Sequence, residues 1–283
     1  MKSIGTLVQD IYKVIDGNGG WDETVAKYFS ETIGDVLHSR LNPEEREGRG
    51  TLRMSNLGTP CQRKLWYSVN YPDGGEVLRP STKLKFLYGD MLEALLLSLA
   101  HAAGHRVEGL QDTLHIDGIE GHRDAVIDGI TVDVKSASGY GFKKFAEGRL
   151  REDDAFGYIS QLSSYVYAGR SSRVSSHPTL GGFLVINKEN GELCLDLHDF
   201  TGELEGKEEE VASLKKMVDK DTPPHRGFAP VPDGSSGNMK LGVNCSYCGY
   251  KKECWPTLRT FLYSNGPRFL TQVSSVPKVV EIQ

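Results

Sequence analysis

Two hydrophobic periods alternate along the chain, and their order predicts its elements. Ile4, Leu7, Val8, Ile11, Tyr12 and Ile15 recur at helical spacing until Gly17-Asn18-Gly19-Gly20 breaks the run. A second amphipathic stretch covers 22–41, followed by a charged loop over 44–50. A short helix beginning at Cys61 ends before Tyr71-Pro72-Asp73-Gly74-Gly75. Positions 81–103 form a long helix with Leu84, Leu87, Tyr88, Met91, Leu92, Leu95, Leu96 and Leu99 on its apolar side, stopped at Gly104. The pattern then turns strand-like, with a strand over 111–117 and a hairpin over 121–135. A basic segment (142–151), a helix (153–168), a Ser/Gly-rich loop (169–182) and two strands (182–187 and 192–198) turning at Asn190-Gly191 follow. An amphipathic helix over 203–219 leads to a Pro/Gly linker (223–237), a cysteine cluster, and a tail after Pro267 with little pattern. This order predicts an α/β fold: a mixed central β-sheet flanked by helices, with a helical N-terminal region (1–80), a core (81–222) and a C-terminal Cys-cluster segment (223–283).

The hairpin holds the first candidate chemistry. Asp128-Gly129 is a strong two-residue turn signal, and with it as the loop Ile127 faces Ile130. Asp124 then lies across from Asp133, and His122 across from Lys135, all four on one face. Ala125, Ile127, Ile130, Val132 and Val134 occupy the other face and are the ones to pack on a core. Two opposed carboxylates lie about 5 Å apart at Cβ and repel, so folding gains nothing from them. A divalent cation between them reverses the sign, and hard oxygen ligands suit Mg²⁺ or Mn²⁺. The plainer reading is a solvated hairpin with no ligand, so the hairpin needs support from elsewhere in the chain.

Composition narrows the classes. The chain has 283 residues, 38% hydrophobic and 25% charged, enough for a substantial core. It has no apolar run of ~18 residues, which argues against a membrane span, and residues 1–10 lack signal-peptide features. A cytoplasmic location is therefore expected. A net charge of −5 disfavours coating nucleic acid by bulk electrostatics. It leaves room for an enzyme with a local basic rim, for which Lys143 and Lys144 with Arg149 and Arg151, or Lys251-Lys252, are the candidates.

Three more groups bear on the hairpin. Gln161 and Tyr165, four apart on one helix, share a face and can bracket a phosphate or a metal-bound water, although Tyr165 in the core and Gln161 on the surface is the simpler account. Glu93 interrupts the leucine-rich 91–97 segment, where a charge costs stability unless solvated or paired. It is a third oxygen ligand in one reading and an exposed helix residue in the other. Gly89, one turn earlier, would allow a close approach to the sheet or the substrate. Finally, Cys245, Cys248 and Cys254 form a C-x2-C-x5-C cluster, with Cys61 far upstream and Cys194 in a strand-like stretch. An intracellular setting disfavours disulfides. A four-thiolate zinc site is possible, yet zinc sites normally use two close pairs, which one distant Cys plus three clustered ones fit less well.

As a set, Gly89-x3-Glu93, Gly121-x2-Asp124, Asp133-x-Lys135 and Gln161-x3-Tyr165 resemble the motifs of PD-(D/E)XK nucleases of the RecB type, over about residues 81–168. One Cys ahead of these motifs and C-x2-C-x5-C after them is similar to the iron–sulfur branch of that superfamily, which includes AddB and CRISPR-associated RecB-like nucleases. That branch usually carries His where this chain has Glu93, whereas lambda-exonuclease-like members use Glu. The resemblance implies a restriction-endonuclease-like core and hydrolysis of DNA, as an exonuclease. It implies Mg²⁺ or Mn²⁺ held by Glu93, Asp124, Asp133 and the Val134 carbonyl, with Lys135 orienting water and Gln161 and Tyr165 positioning the strand. It also implies a [4Fe-4S] cluster on Cys61, Cys245, Cys248 and Cys254, with Zn²⁺ as the alternative. His122, Lys143 and Lys144 are expected substrate contacts. DNA is the expected partner, with a recombination or replication protein beside it, in a phage or mobile-element setting within the host cytoplasm. The competing classes are a non-catalytic DNA-binding or assembly protein and an RNA-processing nuclease.

Overall fold

The computed structural model describes residues 2–42 and 48–282. The predicted charged loop at 44–50 therefore lies mostly outside the described residues. The N-terminal helical reading holds. Helix α1 (Leu7–Lys13) runs into a π turn (Val14–Asn18) that breaks at Gly17, whose φ is 80°. Helix α2 (Glu23–Leu41) starts where the Asp22 carboxylate accepts the Thr24 and Val25 amides at 2.9 and 3.0 Å. Helices α3 (Met54–Leu57), α4 (Gln62–Asn70) and α5 (Pro80–Ala102) follow.

The strands come next: β1 (Val107–Glu108), β2 (Thr113–Ile116), β3 (Ile119–His122), β4 (Ala125–Ile127) and β5 (Ile130–Ala137). After helices α6 (Gly139–Ala146) and α7 (Tyr158–Gly169) come β6 (Leu180–Asn187), β7 (Leu193–Asp199) and helix α8 (Lys207–Val218). The central sheet has the order β1-β4-β5-β6-β7, with β5 and β6 parallel and the other pairs antiparallel. It is a mixed sheet in a mixed α/β fold, with a hydrophobic core on each face. One core joins Ala125, Ile127, Ile130, Val132 and Val134 to Leu96, Leu97 and Leu99 of α5 and Leu7 and Ile11 of α1. The other joins Phe183 and Val185 of β6 to residues of α4, α6, α7 and α8. Each fully buried leucine or isoleucine there contributes roughly 1.5–3 kcal/mol of burial.

Four expectations need correction. The apolar side of α5 is buried only in its second half; Leu84 and Tyr88 are 46% and 53% exposed, because the core there ends near Ala94. Helix α7 starts at Tyr158 rather than 153, because Gly157 at φ 77° holds a left-handed turn. An ideal Cβ on Gly89 would sit 3.9 Å from Ser136 Oγ, ordinary contact, so the approach of α5 to the sheet does not require glycine there. The tail after Pro267 is not featureless: β11 (Gly266–Gln272) and β12 (Glu281–Ile282) join β8 (Val231–Pro232), β9 (Met239–Lys240) and β10 (Arg259–Tyr263) in a second sheet, ordered β12-β10-β11-β9-β8, with short helices α9 (Val243–Ser246) and α10 (Lys251–Cys254) between β9 and β10.

Gly157 also fixes how α7 meets the α3 turn. A Cβ there would come 1.5 Å from the Gly58 carbonyl oxygen. Gly157→Ala is expected to cost about 2–3 kcal/mol in denaturant unfolding, from the left-handed backbone and the backbone clash together. An unchanged midpoint would show that the turn yields.

Candidate functional site

The hairpin register is as the sequence predicts: Ala125 pairs with Val132, Val126 with Thr131 and Ile127 with Ile130. Asp128 (φ 50°) and Gly129 (φ 86°) form the primed turn. Asp128 also accepts the Arg106 amide at 3.0 Å and lies 2.7 Å from His105 Nδ1, which ties the turn to the chain entering β1.

Beyond Ala125 the ladder stops. The Arg123 amide bonds the Asp112 carbonyl and the Gln111 amide bonds the Asp124 carbonyl, both at 3.3 Å, so the chain at 123–124 has turned toward 111–112. Upstream of that point β3 pairs with β2, with His122 opposite Thr113. His122 is therefore not opposite Lys135; it is exposed on a two-stranded hairpin beside Glu120, 3.4 Å away. The expected sharing of one face by four residues is wrong for this one. Asp124, freed from the ladder, turns its carboxylate back and accepts the Val134 amide at 2.7 Å.

Asp133 and Lys135 point together to the face opposite the Val134 core. Asp133 is 3% exposed, and Lys135 Nζ lies 2.5 Å from its Oδ2. That contact is ionic: Asp133 Oδ2 is a buried oxygen that accepts no properly angled hydrogen bond among the described residues. Glu93 reaches the group from α5 and accepts Gln111 Nε2 at 2.8 Å. Burial, then the charge of Asp133 and of Asp90, push the Glu93 carboxyl from 4.5 up to about 7. Burial, then Asp133 and Glu93, push Asp124 well up, against the pull of Lys135 and the Val134 amide. Burial opposes the Lys135 ammonium, yet Asp133 and Asp124 outweigh it and hold that proton more firmly than usual.

Tyr165, buried on α7, faces the same group. Burial raises its hydroxyl to about 12, with Gln161 opposing and the charges of Asp133 and Asp124 adding to the rise. Sequence reading missed three contributors. Lys135 Nζ lies 5.2 Å from the ring centre of Tyr158, one helical turn before Gln161 and on the same α7 face, a spacing that contained the signal. Asp154 accepts the amides of Gly157, Tyr158 and Ile159 at 2.8–3.0 Å and so caps α7. Gln111, at φ 52°, carries no such signal. Of the expected rim, Lys144 is committed to Asp153, 2.6 Å away, while Lys143 is exposed.

Among the described residues no three His, Cys, Asp or Glu side chains already stand in a metal-holding arrangement. The chemistry of the group still fits a hard cation: three carboxylates gather with a single lysine among them, and the charge of Asp133 raises the pKa of both Glu93 and Asp124. The sign of the linkage is testable. A raised carboxyl pKa stabilises the fold below the ordinary value and loses that stabilisation as pH rises through about 7 for Glu93. Metal-free protein is expected to melt lower at about pH 8 than at about pH 5.5, and Mg²⁺ or Mn²⁺ to restore the melting temperature mainly at the higher pH. Equal shifts at both pH values would count against a cation at these carboxylates.

The four expected thiols converge. Cys61, at the start of α4, lines one small cavity with Cys245, Cys248 and Cys254, and Arg63, Lys64 and Lys251 lie around it. All are free and half-buried. Burial, then the other three thiols, push Cys245 up to about 11. Burial also raises Cys248, against a Tyr250 backbone hydrogen bond and Lys64. The Arg226 guanidinium donates twice to the Cys254 carbonyl, at 2.7 and 3.0 Å. Cys194 stands apart on β7, where burial, then Asp196, push its thiol to about 12.

No protein-family model and no curated protein matches the chain. Among solved structures it is similar to one titled "Crystal structure of SSO0001", with a TM-score of 0.42 and 13% identity, covering 82% of this chain and 96% of that one. No helix among the described residues is long and apolar enough to cross a membrane.

Proposed function

We propose that this protein is a metal-dependent deoxyribonuclease with a restriction-endonuclease-like core, hydrolysing phosphodiester bonds as an exonuclease. One observation carries the reading: Asp124, Asp133 and Lys135 gather at β5 with Glu93 from α5 and Tyr165 from α7. Three carboxylates at such a point burden folding, and clusters of this kind belong to functional sites.

Glu93, Asp124 and Asp133 are the residues to hold Mg²⁺ or Mn²⁺, with the Val134 carbonyl as a further oxygen. A bound ion of this class polarises the phosphate, lowers the pKa of a water and neutralises the leaving oxygen. Lys135 keeps its ammonium proton beside Asp133, so it donates to a phosphate oxygen or orients the attacking water and does not serve as the base. The Val134 amide holds Asp124 in one orientation before substrate arrives, which saves ordering entropy at the reaction. Tyr165 keeps its hydroxyl proton at any physiological pH and, with Gln161, donates to the substrate strand.

The four thiols hold a [4Fe-4S] cluster in this reading, with zinc as the alternative. Lys64, whose charge already favours the Cys248 thiolate, offsets part of the negative charge that four thiolates bring. The site joins α4 to the C-terminal segment and so braces the core from outside. Labelled linear DNA, single-stranded and duplex, incubated with anaerobically prepared protein and Mg²⁺ or Mn²⁺ tests the activity. An absence of product with either metal sinks the reading; RNA as the only substrate cleaved moves it to the RNA-processing class.

A further inference from the structure

Resting on the nuclease reading, we propose that Phe156 is a stacking platform for a base within about three nucleotides of the scissile phosphate, so that the substrate presents an unpaired nucleotide there. Phe156 sits at the tip of the turn leading into α7 and is 57% exposed. Its ring centre is 5.6 Å from that of Tyr158 at an interplanar angle of 30°, and Tyr158 lies 5.2 Å from Lys135 Nζ. Two ring steps thus lead from solvent to the catalytic lysine, at most about three stacked nucleotides at ~3.4 Å each.

A lone exposed phenylalanine means little. This one stands on a turn that is held rigid. Asp154 spends its carboxylate on three amides of the next residues, Lys144 Nζ donates to the Asp153 carbonyl at 3.0 Å, and Gly157 is wedged against Gly58. A preordered ring loses little entropy when a base covers it. Two of the three acidic neighbours are partly offset: Asp153 is paired with Lys144, and the Asp154 carboxylate accepts three amides at the helix start, while Glu152 stays exposed. Tyr140, 75% exposed, stands on α6 with exposed Lys143 as the free cation there among the described residues, and the Asp153-paired Lys144 Nζ lies 5.1 Å from its ring. Exposed rings interleaved with lysines are the surface that unpaired strands use. A paired base is already stacked in its duplex and must be extruded to reach Phe156.

Binding is measured by anisotropy in an Asp133→Asn background with Mg²⁺, which does not turn over. Phe156→Ala is expected to weaken binding of a single-stranded oligonucleotide about tenfold, Phe156→Tyr to leave it near wild type, and an all-abasic oligomer to bind both variants equally. Equal binding of the single strand by Phe156→Ala, or an equal loss on the abasic oligomer, overturns the platform. Wild-type protein that cleaves DNA while Phe156→Ala keeps its KM also overturns it and leaves the nuclease reading standing. A base-dependent loss of binding with no cleavage by wild type supports the platform and removes the nuclease.

Discussion

Asp133→Ala is expected to lower DNA cleavage by at least about a thousandfold while leaving the fold as stable as before or slightly more so. The two halves of this expectation come from the same geometry. Asp133 is buried and adds to the raised pKa of both Glu93 and Asp124, with Lys135 as its one ionic partner among the described residues. Removing it relieves like-charge repulsion on Glu93 and Asp124, which offsets the loss of its ionic contact with Lys135. Were the Asp133–Lys135 ion pair there only to hold the fold, its removal would strand a buried ammonium and cost about 3–5 kcal/mol, with activity retained. Product release from labelled linear DNA, set beside thermal unfolding without metal, separates the two. Lost stability with unchanged cleavage refutes the catalytic assignment. Asp124→Ala and Lys135→Ala should lose cleavage on the same scale, since the groups act as a unit.

Cys248→Ser is the second large effect: bound metal is expected to disappear, and several kcal/mol of stability with it. Small domains that fold only around a structural metal draw about 10 kcal/mol or more from it. The loss is smaller here because the C-terminal segment has its own sheet, with Phe261 and Leu270 buried. Without a soft metal the cysteines resist ionisation, as the raised Cys245 and Cys248 show. Iron and zinc analysis of anaerobically purified protein, with visible absorption, identifies the occupant. Cys194→Ser is the control and should keep the metal, since that thiol lies apart on β7. Equal metal content and melting temperature in Cys248→Ser and wild type would dismiss the four-thiol site.

How much of this was legible in the chain depends on how local each signal is. Helix α1, the break at Gly17, the Asp128-Gly129 turn and the buried face of the hairpin follow from period and turn chemistry, which act over a few residues. The convergence of Cys61 with the C-terminal cysteines was also expected, though from family resemblance and not from spacing. His122 failed because a strand register extrapolated beyond its last pair assumes that the partner continues. Here the chain at Arg123 and Asp124 exchanged β5 for residues 111–112. The exposed half of α5 failed for a related reason: an amphipathic pattern marks a face that can be buried but not what arrives to cover it.

By itself the sequence determined the mixed α/β order, the hairpin register and the residue types able to hold a hard cation and four thiolate bonds, because each rests on covalent periodicity or side-chain chemistry. Tertiary structure alone decided that Asp124 folds back onto the Val134 amide, that Gln111 supports Glu93, that Tyr158 lies beside Lys135, and that His122 faces away. Those are contacts between segments that meet only once the core has closed, and no local pattern records which segments those will be.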